Sequence, residues 1–127
     1  MVKKYIDIPE YKWGLVIVYN FDRYDKDEIY AMCESLGMNR NRFNYSWNIL
    51  MSPNSGMTIS NGDIRMSFMF IGKPTTKAQF FNTLVHECSH VADGILEYYG
   101  IPCGGEESAY LRGDIFQYAI EQIANLE

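Results

Sequence analysis

Hydrophobic and polar positions change period several times along the chain, and each change marks an element. The run "YKWGLVIVYNF" (residues 11–21) is apolar at odd and even positions alike. That predicts a central strand buried on both faces, bounded by Pro9 and Asp22. In "DKDEIYAMCESLGM" the period becomes helical: Ile29, Met32, Cys33 and Leu36 fall on one face. Asp25 and Glu28 have the spacing of a capping box, and Gly37 can close the helix. "NRNRF" reads as a loop and "YSWNILM" as a strand, ended by the turn "SPNSG". Asn61-Gly62 lies between two alternating runs, "MTIS" and "DIRMSFMF", and predicts a hairpin with a two-residue turn. In its second arm Ile64, Met66, Phe68 and Phe70 face one way and Arg65 and Ser67 the other. That is the pattern of an edge strand.

The remainder is helical. Thr76 and Gln79 form a capping box that opens a long helix ending near Tyr99. "GIPCGG" breaks the chain, and "EESAYLRGDIFQYAIEQIANL" is a second long helix. Leu111, Ile115, Ala119 and Ile123 lie near one face of it, widened by Phe116 and Ile120. The predicted order is β-α-β-β-β-α-α, an α+β fold with a sheet and one helix first and a helix pair last. At 127 residues, 47% of them hydrophobic, the chain suits one domain (1–127) with a substantial core.

Charge narrows the function classes. The net charge is −5 and the basic residues do not cluster beyond Lys3 and Lys4. A protein that binds nucleic acid by neutralising phosphates is therefore not expected. The opening "MVKKYIDIPEYKWG" lacks the apolar core of a signal peptide. No stretch reaches the ~20 apolar residues of a membrane span. The expectation is a cytoplasmic protein without a membrane partner, its three cysteines (33, 88, 103) reduced.

Chemistry concentrates in "TLVHECSHVADG" (residues 83–94), which holds both histidines of the chain. His86 and His90, four apart, lie one above the other on a helix and can converge on one metal ion. Glu87 is rotated by ~100° from His86 and can act on a metal-activated water without being a ligand. This is the H-E-x-x-H arrangement of two zinc ligands and a general base. No third histidine exists, so the metzincin pattern is excluded. Glu97 lies two turns beyond His90, ~10 Å along the axis, too far to share the ion. Asp93, three residues from His90, is suited to orient a ligand or to stand exposed. Glu106 and Glu107 open the last helix, and an antiparallel docking of that helix would bring its start toward the metal. Cys103 precedes them in the loop and is either a further zinc donor or an ordinary loop residue. Cys88 points away from the histidine face, toward the core.

The segment 84–113 resembles the small zincin-like metallopeptidases of phages and bacteria, and more distantly the thermolysin-type gluzincins. Their third-ligand segment often reads E-x-x-A-Y, matched here by Glu106, Ala109 and Tyr110. The resemblance implies Glu106 as third ligand in place of Glu107. It also puts Tyr110 where an aspartate often orients a ligand histidine. Beyond these, Gly113 would let the two helices approach closely, and Tyr98, Tyr99 or Arg112 would polarise a substrate carbonyl. By the same resemblance "DIRMSFMF" would line the cleft and pair with an extended substrate.

These residues imply a zinc-dependent metallopeptidase of gluzincin type, with one Zn²⁺ per chain and Glu87 as general base. Its partner would be a protein or peptide substrate. The alternative is a catalytically inactive zincin-fold binding module with a structural or vestigial metal. A chain this short has little room for a second lobe to wall a cleft, which favours the alternative.

Overall fold

The computed structural model describes residues 1–123. Eight elements follow one another: β1 (Val2–Ile8), β2 (Trp13–Tyr19), α1 (Lys26–Ser35), α2 (Arg40–Leu50), β3 (Gly56–Asn61), β4 (Met66–Ile71), α3 (Lys77–Tyr99) and α4 (Glu106–Ile123). The four strands form one mixed sheet in the order β1-β2-β4-β3. The β1–β2 and β3–β4 pairs are antiparallel, and the central β2–β4 pair is parallel, with Gly14 opposite Met66 and Val18 opposite Phe70. The fold is α+β, with helices against both faces of the sheet.

The alternation within β2 explains its all-apolar composition. Trp13, Leu15, Ile17 and Tyr19 point into a core shared with α3 and α4. Val18, with partly buried Val16, points into a second core against α1 and α2. A strand covered on both faces has no polar side to show. The β4 strand is built in the same way, with Met69 and Ile71 facing α3 and Phe68 and Phe70 facing the other core.

Several expectations are corrected. The segment "NRNRFNYSWNILM" is not a loop and a strand but helix α2. The Asn39 side chain caps it by accepting from the Arg42 N–H at 2.8 Å, and Phe43, Trp47 and Leu50 are buried along one face. Strand β1 was not anticipated. The turn after β3 is a four-residue loop, Gly62–Arg65, with Arg65 at φ 50 and its N–H donating to the Gly62 carbonyl. Asn61 does not supply a left-handed residue. Its Oδ1 instead accepts from the Asp63 N–H at 2.9 Å, and its Nδ2 donates to the Leu36 carbonyl at 3.2 Å. Consequently Ile64 is outside the strand and exposed, and β4 is central. The sheet edge on that side is β3. Ser67, expected on a solvated face, is fully buried and accepts from Trp13 Nε1 at 2.9 Å. It also shares a 2.6 Å hydrogen bond with Ser60 of β3.

Helix α1 begins one turn after its cap. The reciprocal capping box joins Asp22 and Asp25 on a 3-10 turn, while Glu28 pairs with Lys3. Helix α3 starts and stops where expected, but the capping box is only half made. Thr76 Oγ1 accepts from the Gln79 N–H at 3.0 Å with no return bond from the Gln79 side chain, and Gly100 leaves the helix at φ 69. Leu111, Ile115, Ala119 and Ile123 of α4 are all buried, as the pattern predicts. No helix among the described residues is long and apolar enough to cross a membrane.

The glycines that permit close approach are not the expected one. A Cβ on Gly113 would meet nothing within 4 Å, so this residue does not bring α3 and α4 together. A Cβ on Gly94 of α3 would stand 2.9 Å from Ser60 Oγ and 3.1 Å from Ser60 Cβ. The close contact is therefore between α3 and the edge strand. Gly94→Ala is expected to cost ~1–2 kcal/mol, because Ser60 is held by Ser67 and cannot simply turn away. Gly113→Ala is expected to stabilise by ~0.5–1 kcal/mol through the helix propensity of alanine. Urea denaturation of both variants checks the pair. Equal effects would mean that β3 and α3 are not in tight contact.

Candidate metal centre

Helix α3 carries the chemistry on the face turned toward β3. His86 and His90, one turn apart, place their Nε2 atoms 3.2 Å from each other. Two imidazole nitrogens bound to one tetrahedral ion at ~2.0–2.1 Å each would lie ~3.3 Å apart, so the spacing of the pair matches that of a shared metal. The same spacing also accommodates an N–H···N hydrogen bond between neutral rings. Both side chains are open to solvent, at 68% and 51%. A metal held between them would have room for water or substrate.

Glu87 is the opposite case. Its side chain is only 4% exposed, and a buried carboxylate needs partners. Thr58 Oγ1 on β3 donates to Oε1 at 2.8 Å. The other oxygen, Oε2, stands 4.0 Å from His86 Nε2. One oxygen is thus anchored to the sheet and the other is turned toward the histidine pair, as a base beside a metal-bound water requires. Space for the carboxylate comes from Gly56. A Cβ there would fall 2.8 Å from Glu87 Cγ and 2.9 Å from Oε2. His86, Glu87 and His90 form a group whose ligand atoms all lie within 4.8 Å of one another, and no other cluster of three or more His, Cys, Asp or Glu side chains this close occurs among the described residues.

The remaining candidates separate by position. Asp93 lies on the far side of His90, with Oδ2 3.9 Å from Nδ1, the nitrogen turned away from His86. Arg112 of α4 holds this aspartate at 2.7 Å and donates to the Ser89 carbonyl at 3.0 Å. Asp93 thus stands beside His90 without hydrogen-bonding it, and its firm partner is Arg112. Neither Arg112 nor Tyr99 is a free polariser of substrate. Arg112 is committed to Asp93, Ser89 and Ser108, and the Tyr99 hydroxyl donates to the Tyr11 carbonyl. Tyr98 packs edge-on against Trp13.

Glu106 is exposed in the first turn of α4 and does not join the histidine group. Tyr110, one turn on, is 70% exposed. Glu107 has a structural partner: Tyr11 Oη donates to its Oε1 at 2.9 Å. Burial, helped by this carboxylate, pushes the Tyr11 phenol up to about 12. Cys103 is exposed, whereas Cys88 is buried on the core side of α3 and its thiol is pushed up to about 12 by loss of solvent. Sequence reasoning missed Thr58 and Gly56. Neither carries a motif, and only the placement of β3 at the sheet edge brings them to Glu87.

The cleft runs along β3 on both sides of the histidines. Met57, Ser60, Asp93 and Glu97 line one half, and Ile49, Asn54 and Asn82 line the other. Thr58→Val should leave Oε1 of Glu87 without its donor at a cost of ~1–2 kcal/mol, while Thr58→Ser should recover most of the loss. Thermal and urea unfolding measure both. Unchanged stability in Thr58→Val would remove β3 as the anchor of the carboxylate. No family model, curated protein or solved structure matches the chain.

Proposed function

We propose that this chain is a zincin-like, metal-dependent peptidase of gluzincin type. The observation that carries the reading is the pairing of two solvent-open histidine nitrogens, 3.2 Å apart, with a buried glutamate whose free oxygen faces them. His86 and His90 would hold the ion. Imidazole ligands with an open coordination position suit zinc. When bound, such an ion acidifies water and polarises a carbonyl. Glu87 accepts the proton at its free oxygen and delivers it to the leaving amine, while Thr58 keeps the other oxygen in place. Asp93, held by Arg112, places a carboxylate 3.9 Å from His90 Nδ1. The outer edge of β3 pairs with no other strand of the sheet, so an extended peptide can add to it and lay a carbonyl beside the histidines.

The resemblance assigns the third ligand to Glu106, which stands outside the histidine group. That separation favours the second reading, a binding module of the same fold in which a peptide adds to β3 and no bond is broken.

Elemental analysis and a quenched-peptide assay separate the two. Wild type is expected to hold one zinc per chain and to cleave. Glu87→Gln should keep the metal and lose at least ~100-fold in rate, since a general base contributes ~10²–10⁴. His90→Ala should lose both. Full zinc occupancy in Glu106→Ala would show that the third position belongs to another group. Undiminished cleavage by zinc-loaded Glu87→Gln would overturn the mechanism.

A further inference from the structure

A second cavity, of about 200 Å³, opens at the carboxyl ends of the parallel strands β2 and β4 and the start of α3. It shares no lining residue with the two halves of the cleft at His86 and His90. Its walls are aromatic: Phe80 stands edge-on to both Tyr19 and Phe81, with ring centres 6.0 and 5.8 Å apart. Phe21 completes the wall, and Asn20, at φ 58, turns the chain so that Tyr19 and Phe21 both reach the cavity.

The polar groups on this apolar surface are few and specific. Tyr19 is 4% exposed, yet its hydroxyl has no hydrogen-bond partner among the described residues. No unsatisfied side-chain oxygen among the described residues is sealed from solvent, so this hydroxyl is accessible, on a residue that lines the cavity. The Tyr19 phenol is protonated at neutral pH and can donate, and burial raises it further above its ordinary value. Asn20, Lys73, Pro74 and Lys77 are the exposed members of the lining, and Lys73 places positive charge at the mouth. The positive end of the α3 dipole adds to it.

We propose that this cavity is a binding site for a small monocarboxylate with a compact aromatic or branched apolar body. The body lies against Phe80, Phe81 and Phe21, and the carboxylate accepts from Tyr19 Oη and faces Lys73. The size agrees, because a cavity of ~150 Å³ lined by apolar side chains holds a benzene ring. Few, convergent polar groups in an apolar pocket are the general form of a small-molecule site.

The test is an NMR titration of the full chain with 3-phenylpropionate. Its uncharged analogue 3-phenylpropan-1-ol and the ringless anion acetate are run in parallel. The expected result is saturable shifts centred on the amides of Gly72, Phe80 and Phe81, with both analogues at least tenfold weaker. Tyr19→Phe keeps the ring and should weaken binding about tenfold, the effect of one hydrogen bond to a charged acceptor. Lys73→Glu, an exposed change that does not threaten folding, should weaken it by at least as much. Absence of saturation, shifts centred elsewhere, equal affinity for acid and alcohol, or unchanged affinity in Lys73→Glu would each overturn the proposal.

Discussion

The carboxylate of Glu87 sits almost wholly out of water, and the surrounding structure is arranged to tolerate it. A carboxylate taken out of solvent without partners costs several kcal/mol, so a strand must come close enough to donate. Thr58 does so at 2.8 Å. That approach requires Gly56 beside the carboxylate and Gly94 opposite Ser60, since any side chain at either place would enter occupied space. Ser60 is in turn tied to buried Ser67, and Ser67 to Trp13 in the central strand. A chain of small residues and hydroxyls thus fixes the distance between α3 and the sheet edge. The histidines, on the same helix, inherit their position from it.

The same logic explains why α4 matters although it supplies no member of the histidine group. Its buried stripe packs on α3, and Arg112 crosses to Asp93 and the Ser89 carbonyl. Arginine suits this task because its planar fork reaches two acceptors at once. The second helix therefore acts on the site through the helix that bears it.

Helix α3 was legible at both ends because its caps are local: Thr76 with Gln79, and Gly100. The buried stripe of α4 was legible because its period runs undisturbed for four turns. Helix α2 misled because Tyr45, Trp47 and Ile49 have high strand propensity and alternate. The competing signal was present in the Asn39 cap and the spacing of Phe43, Trp47 and Leu50, and burial decided in its favour. Asn61-Gly62 misled because the asparagine side chain found other partners and the turn took two more residues. The polar serine of β4 looked solvated. Its place next to Trp13 and Ser60 depends on a sheet order that no local pattern contains. For the site, the histidine pair and Glu87 follow from helical spacing alone. The partners of Glu87 lie across the fold and carry no motif.

The parallel pairing of β2 with β4 has a consequence for how the molecule assembles. The two hairpins, β1 with β2 and β3 with β4, close over short loops, as does the α3–α4 pair. Joining the hairpins sets Gly14 beside Met66, across a segment that contains α1, α2 and β3. Loop closure over that length must be met before the central contacts form, so this is the entropically most demanding pairing in the sheet. Until it is complete, β2 and β4 each present an unpaired, strongly apolar edge. Such an edge is a template for other chains, so a nascent or partly unfolded molecule is most vulnerable to aggregation at its future centre and not at its native rim.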